Sequence, residues 1–133
     1  MNGDGVPLVC LLSGAERHDS KLFAPAMDAL PSVAGKPGRP RKLPHKLHAD
    51  KGYDYPRCRE YLRLRGIVPR IARRGVESKE RLGRHRWLVE RTLAWLNQFR
   101  KLRIRFERSA DAYLALCKLA CSLITLRFVQ SFC

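Results

Sequence analysis

A chain of 133 residues is long enough for one domain with a modest core, and its 45% of hydrophobic residues excludes a disordered chain on composition. Twenty-seven Lys and Arg against 12 Asp and Glu give a formal net charge of +15. This excess favours a polyanionic partner: nucleic acid first, a ribosome-like assembly second, an anionic membrane third.

The first third of the sequence predicts one strand, one helix and one loop. Residues 6–13 form a continuous apolar run with the length of a strand that is buried on both faces. Asp19 and Ser20 offer N-caps for an amphipathic helix over residues 21–30. Residues 31–44, rich in Gly, Pro and basic side chains, predict an exposed loop that either contacts phosphates or is simply solvated.

The middle of the sequence alternates strand and helix. Residues 46–49 predict a short strand that ends at Asp50, and residues 67–71 predict another. Between them, residues 55–65 predict a helix with Pro in its first turn, and Gly66 predicts its end. This alternation indicates an α/β layer with parallel strand pairing.

The last third predicts two helices, over residues 82–102 and 110–130. Lys118 and Arg127 interrupt the apolar run of the second helix, so we predict that it does not cross a membrane. Cys117 and Cys121 are predicted to be small core residues rather than metal ligands. Five scattered cysteines, an odd number without a CxxC pair, favour reduced thiols in a cytosol.

Two carboxylates are candidates for chemistry. Asp50 follows a strand directly, where α/β sheets place ligand sites, although position alone favours an Asp that caps a turn. Glu90 lies on the polar side of its predicted helix, one turn from Arg86. It is either half of a solvated ion pair or a metal ligand flanked by phosphate-contacting cations.

Helical geometry places further residues around Glu90. At 100° per residue, one side of the helix forms an ordinary core stripe of Leu88, Thr92, Trp95, Phe99 and Leu102. The opposite side gathers Arg86, Glu90, Asn97 and Lys101. Because two Mg²⁺ ions generally need at least three carboxylates, Asp54 is a further candidate beside Asp50 and Glu90.

Three stretches carry a family resemblance. LHADKGYD (47–54), RGIVPRI (65–71) and GRHRWLVERTLAWLNQFRKLRIRFER (83–108) resemble the C-terminal half of DDE-type insertion-sequence transposases, in the insertion-sequence-five branch. The resemblance covers nearly the whole chain, and the first and third blocks are specific when taken together.

The resemblance implies an α/β fold of the RNase H-like catalytic type, with Asp50 as the second catalytic Asp and Glu90 as the catalytic Glu. Both would bind Mg²⁺ or Mn²⁺, with two ions in the complete site. The family signature Y-x2-R-x3-E-x6-K is matched at Arg86 and Glu90, whereas Gly83 and Asn97 depart from it. The residues expected to contact DNA are therefore Arg86, Asn97, Arg100, Lys101 and Lys51.

The resemblance also implies what this sequence does not contain. The first catalytic Asp of the family lies on an earlier strand, so we expect residues 1–133 to be a partial catalytic domain, truncated at its N-terminus and followed by C-terminal helices. We expect DNA cleavage and strand transfer in the complete protein, and inactivity of the chain alone. The expected partners are element-end DNA and either an upstream-frame polypeptide or further copies, in a bacterial cytoplasm at the nucleoid.

Two other functions are compatible with the composition. A non-enzymatic, basic nucleic-acid-binding module would grip phosphates without metal and show steep salt dependence. A basic structural protein of an RNA assembly is disfavoured by Asp50 and Glu90 in their particular contexts.

Overall fold

A computed structural model describes residues 1–33, 37–76 and 79–131, without the side chains of residues 79–86. The chain is mixed α/β and divides into two compact units. The first unit comprises Met1–Leu12 and Ser78–Cys133, and the second comprises Ser13–Glu77.

The second unit contains the strands. Its elements in chain order are a 3-10 helix at Asp19–Lys21, α1 at Phe23–Asp28, β1 at Lys46–Ala49, a 3-10 helix at Lys51–Tyr53, α2 at Pro56–Leu64 and β2 at Val68–Ile71. The two strands pair in parallel, with Lys46 opposite Val68 and Ala49 opposite Ile71. A parallel pair needs a crossover connection, which α2 supplies, so the predicted strand–helix–strand unit is confirmed.

Gly66 ends α2 as predicted. Its φ of +69° is the left-handed conformation that glycine adopts without steric cost. The amide of Gly66 donates to Arg63 O at 3.0 Å and the amide of Ile67 donates to Leu62 O at 2.8 Å. These two hydrogen bonds satisfy carbonyl groups at the C-terminus of α2, and the chain then continues directly into β2.

The core of the second unit forms around α2. Leu62 is fully buried, and it packs in one cluster with five other buried residues: Phe23, Met27, Cys58, Ile67 and Ile71. These come from α1, α2 and the approach to and end of β2. The α2 helix is thereby held against the strand pair.

The predicted helix over residues 21–30 is shorter than expected. Lys21 lies in the 3-10 helix, and α1 begins only at Phe23. A helix that began at Lys21 would need an amide at Pro25 to donate to it, and proline has none. The 3-10 helix is capped by His18, whose ring nitrogen accepts from the Ser20 amide, so the predicted caps at Asp19 and Ser20 are wrong.

The strand predicted for residues 6–13 is also wrong. Val6 is buried and the following apolar residues are half-buried, but the segment has no regular secondary structure. Among the described residues, the one sheet is the β1–β2 pair, so no neighbouring strand supplies the backbone partners that a strand here requires. The apolar run reflects burial against helices of the first unit.

The first unit is helical, with α3 at Lys79–Asn97, α4 at Arg100–Arg103 and α5 at Ala110–Gln130. The bounds of α5 are those predicted, and Ser109 Oγ caps it by accepting from the Ala112 amide at 3.3 Å. The single helix predicted for residues 82–102 is wrong, because the chain is extended at Phe99, with φ −81° and ψ 106°. Lys101 is therefore not on the helix that carries Glu90.

The predicted core stripe is confirmed on α3 for Leu88, Thr92 and Trp95, whereas Phe99 and Leu102 lie beyond the end of that helix. Thr92 is buried, and the other four members are half-buried: Leu88, Trp95, Phe99 and Leu102. On α5 the buried residues are Cys117, Ala120 and Ile124, so Cys117 is a small core residue as predicted. Cys121 is half-buried.

Much of α5 remains exposed. Leu119, Leu126 and Val129 are 57%, 52% and 52% exposed. The most apolar 18-residue stretch of this helix has a mean hydropathy of 1.6, and only 17% of that stretch is buried. By length and composition the helix is able to cross a membrane. One such helix is weak evidence for a membrane span, and the prediction against one stays a prediction.

Candidate functional site

Asp50 lies at the carboxyl end of β1, where the strand pair ends. Its side chain is the N-cap of the Lys51–Tyr53 3-10 helix, with Oδ1 accepting from the Gly52 amide at 2.8 Å. The Asp50 carbonyl accepts from the Tyr53 amide at 3.2 Å. Asp50 therefore does cap a turn, but the residue is exposed, and a carboxylate with one such bond keeps lone pairs for further ligands.

Gly52 permits the approach of Asp50 to its own turn. A Cβ at position 52 would lie 2.9 Å from Asp50 Oδ1, closer than real Cβ contacts. Any side chain here would push the carboxylate away from its position. The glycine in ADKGYD thus leaves room for the Asp50 carboxylate to accept from the Gly52 amide.

Asp54 ties three segments of the second unit together. Its Oδ1 accepts from Arg59 Nε at 2.9 Å and Nη2 at 2.6 Å, and its Oδ2 accepts from the Arg74 amide at 2.9 Å. Arg59 Nη2 also donates to Ile71 O at 2.9 Å. The Asp50 loop is thereby joined to α2 and to the chain that leaves β2.

These bonds set both the charge and the role of Asp54. The Arg74 amide, followed by the Arg59 guanidinium, lowers the pKa of the Asp54 carboxyl below its ordinary value of 3.8. Because both oxygens accept strong bonds from protein donors, Asp54 acts as a structural clamp. The interpretation of Asp54 as a further metal carboxylate does not fit this geometry.

Tyr53 is the other ionisable group in this loop. Burial, followed by the negative charges of Asp19 and Asp50, raises the pKa of the Tyr53 hydroxyl. The tyrosine is thus a neutral neighbour of the exposed carboxylate at any ordinary pH. Its ring packs against Phe23 of the core, with centroids 5.7 Å apart.

Glu90 is exposed on α3, in the first unit. The side chain of Arg86, its predicted neighbour, lies outside the described residues. Asn97 is the exposed last residue of α3, whereas Arg100 and Lys101 are exposed on the separate helix α4. Lys51 is exposed in the second unit, next to Asp50.

Arg91 and Thr92, the two residues that follow Glu90, anchor the N-terminal segment to α3. Sequence reasoning placed Thr92 in the core stripe but did not single out Arg91. The Arg91 guanidinium carbon lies 4.7 Å from the Trp87 ring centroid and 4.8 Å from that of Trp95, and Arg91 Nη2 donates to Asp4 O. Thr92 Oγ1 donates to Gly5 O at 2.6 Å. The spacing Trp-x3-Arg-x3-Trp could have predicted the contacts of Arg91 with the two tryptophan rings, because residues four apart are neighbours on a helix.

Divalent metal ions such as Mg²⁺ bind to carboxylate oxygens in proteins. Asp50 and Glu90 offer exposed carboxylate oxygens, the ligand type that Mg²⁺ and Mn²⁺ prefer. Among the described side chains, no three from His, Cys, Asp or Glu lie close enough to share one ion. Asp50 in the second unit and Glu90 in the first unit are thus each a carboxylate of the type that a divalent ion binds.

Comparison with known proteins defines the class. Residues 1–125 match the family model described as the transposase DDE domain, so the chain belongs to the DDE transposase family. It is 49% identical over 123 residues to a Burkholderia cepacia protein described as "Putative transposase for insertion sequence element IS402". The match covers 92% of this chain and 58% of that relative. No solved structure matches.

These comparisons confirm the predicted family. They do not identify the branch, so membership of the insertion-sequence-five branch stays a prediction. They also do not assign roles to individual residues.

Proposed function

We propose that the chain is a catalytic part of a DDE transposase, in which Asp50 and Glu90 are two of the metal-binding carboxylates. The observation that carries this proposal is the exposed carboxylate of Asp50 at the end of β1, in a chain whose residues 1–125 match the DDE domain. The fold that family membership implies is RNase H-like.

The proposed reaction is Mg²⁺- or Mn²⁺-dependent cleavage of DNA, followed by strand transfer during transposition. When bound, a pair of divalent ions supplies activation of the attacking oxygen and stabilisation of the leaving oxygen. Asp50 and Glu90 would hold these ions through carboxylate oxygens. Gly52 and the Asp54 clamp would keep the Asp50 carboxylate at a fixed orientation, which limits the reorganisation needed when an ion binds.

The cations would hold the DNA backbone. Lys51 is exposed beside Asp50, and the other proposed contacts, Arg86, Asn97, Arg100 and Lys101, follow from the family signature and its departures. A formal net charge of +15 supports a polyanionic substrate, because such a chain repels itself unless the charge is neutralised.

Asp50 and Glu90 are the two carboxylates proposed for the metal site. Two carboxylates are fewer than a two-ion site generally requires, so the 133-residue chain alone is proposed to lack strand cleavage. A polypeptide from an upstream frame or further copies of the chain would complete the site. The proposed location is the bacterial cytoplasm, on nucleoid DNA.

Metal binding tests the two carboxylates directly. We expect Mn²⁺ to broaden the NMR signals of residues next to Asp50 and Glu90 in the isotopically labelled chain. Asp50→Asn and Glu90→Gln should each remove the broadening at their own site, whereas Asp111→Asn, an exposed control on α5, should not. Broadening that survives both site variants would exclude these residues as ligands.

A cleavage assay tests the reaction. Purified chain is incubated with element-end DNA and Mg²⁺ or Mn²⁺, and no nicked product is expected. Robust cleavage that survives Asp50→Ala or Glu90→Ala would show that the catalytic residues lie elsewhere.

A non-enzymatic nucleic-acid-binding module is the second candidate. It is favoured by the net charge of +15 together with the lack of a three-carboxylate group among the described side chains. It predicts DNA binding with steep salt dependence, unaffected by EDTA and by Glu90→Ala. The Mn²⁺ experiment separates the two, because this candidate predicts no site-specific broadening.

A further inference from the structure

We propose that Arg74 and Lys51 form a phosphodiester-binding cleft one residue away from Asp50, in which Tyr55 supports the Arg74 guanidinium. The inference rests on the proposed function, since DNA supplies the phosphodiester. Arg74 belongs to none of the sequence blocks that indicated DNA contacts.

The cleft is open and lined by Lys51, Gly52, Arg74 and Gly75. Two of its four lining residues are cations and none is acidic. Gly75 has a φ of +79°, and neither glycine adds a side chain to the wall of the cleft. An open, glycine-walled surface suits a polymer backbone passing along it better than it suits an enclosed small molecule.

The Arg74 guanidinium is held in place before any ligand arrives. Its Nε donates to Lys51 O at 3.1 Å, and its carbon lies 4.7 Å from the centroid of the Tyr55 ring. One guanidinium edge is thereby fixed to the Asp50 loop, and its plane is supported by an aromatic face. Such ordering reduces the entropy that a flexible arginine loses when it binds phosphate.

The Arg74 guanidinium does not form an ion pair with Asp54. Asp54 binds Arg74 through the backbone amide, whereas its ion pair is with the Arg59 guanidinium, at 2.6 Å. Asp54 therefore fixes the position of Arg74 without forming a salt bridge to its side chain. This division leaves Arg74 as a positioned cation at Lys51, the residue that follows Asp50.

The position of the cleft gives it a defined role. Gly52, which lines the cleft, is the residue whose amide donates to Asp50 Oδ1. A phosphate in the cleft would lie close to a carboxylate proposed to hold the metal. We therefore assign the cleft to a phosphate of the DNA strand close to the one that is cut.

DNA binding in EDTA tests the cleft without involving metal. Fluorescence anisotropy with a short labelled DNA duplex compares Arg74→Ala with Arg73→Ala, which removes the same charge from the neighbouring exposed arginine, outside the cleft lining. We expect Arg74→Ala to weaken binding by about tenfold and to reduce the salt slope by about 0.9, as for one phosphate contact. Arg73→Ala should change the affinity by less than about threefold.

The Tyr55→Leu variant distinguishes the contribution of the aromatic ring to DNA binding from that of the Arg74 charge. It removes the aromatic face without altering the net charge, and it should weaken DNA binding by about threefold, with the fold checked by circular dichroism. Equal losses for Arg73→Ala and Arg74→Ala, or no loss for Arg74→Ala, would overturn the proposal in favour of diffuse attraction. An intact Tyr55→Leu protein that binds like wild type would overturn the role of the ring.

Amide shifts of Gly52 and Gly75 identify the ligand. DNA should shift both amides, and inorganic phosphate should do so only at far higher concentration. Saturable shifts with inorganic phosphate but none with DNA would indicate a free-anion site and overturn the assignment. Because these measurements contain no metal, Mn²⁺ broadening that is insensitive to Asp50→Asn would refute the proposed function while leaving the cleft untouched.

Discussion

Thr92→Val tests how the N-terminal segment is attached to the helix that carries Glu90. The Thr92 hydroxyl is buried, and its bond to Gly5 O at 2.6 Å is the shorter of its two carbonyl contacts, the other being Leu88 O at 3.1 Å. Valine keeps the shape and β-branching but cannot donate. Gly5 is buried, so its carbonyl would be left without this donor, at a cost of about 1–3 kcal/mol.

The assay is urea denaturation followed by tryptophan fluorescence. Both tryptophans, Trp87 and Trp95, lie on α3, so the signal reports on the first unit. Thr125→Val is the matched control, because Thr125 donates only within its own helix, to Cys121 O at 2.9 Å. We expect the control to cost less than about 0.5 kcal/mol.

Thr92→Ser completes the comparison. It keeps the hydroxyl and loses one methyl group, so the expected cost is about 0.8 kcal/mol. A valine variant as stable as wild type, or a serine variant less stable than the valine variant, would refute the hydrogen-bond explanation and leave packing as the source of stability.

Three further predictions concern the second unit. Leu62→Ala should destabilise it by about 2–5 kcal/mol in denaturant titrations, since Leu62 is 0% exposed, whereas Leu64→Ala, at 81% exposed, should cost less than about 0.5 kcal/mol. Asp54 has a lowered folded-state pKa, so its stabilisation is present above the ordinary value of 3.8 and lost as pH falls through the folded value. The difference in stability between wild type and Asp54→Asn should therefore narrow as pH falls below 3.8, and a constant difference would contradict the clamp. Gly52→Ala should weaken Mn²⁺ broadening beside Asp50, because its Cβ would lie 2.9 Å from Oδ1, and wild-type broadening would show that the carboxylate moves at no cost.

Local patterns determined the elements that could be predicted from the sequence. The strand–helix–strand unit around Gly66 follows from alternation and from one glycine at a helix end, and α5 follows from a continuous helical pattern. These features depend on neighbours in sequence. The strand predicted for residues 6–13 was wrong because a buried apolar run gives no information on whether a partner strand exists.

The candidate site also contains some features that the sequence predicts and others that it does not. The position of Asp50 after a strand could be read from the sequence, since it depends on one segment. The contact of Asp54 with Arg74 could not, because twenty residues separate them and no spacing rule joins them. The break at Phe99 was missed because the apolar periodicity continues across it, so periodicity alone placed Lys101 on the wrong element.

The exposed apolar residues of α5 determine which laboratory assays are informative. Leu119, Leu126 and Val129 are each more than half exposed in the folded chain, and an apolar surface binds dyes such as ANS even in the native state. A dye-based thermal shift measurement would begin from a high baseline and would report a falsely small transition. Intrinsic tryptophan fluorescence and buffers that contain a mild non-ionic detergent are the better conditions in which to compare variants of this protein.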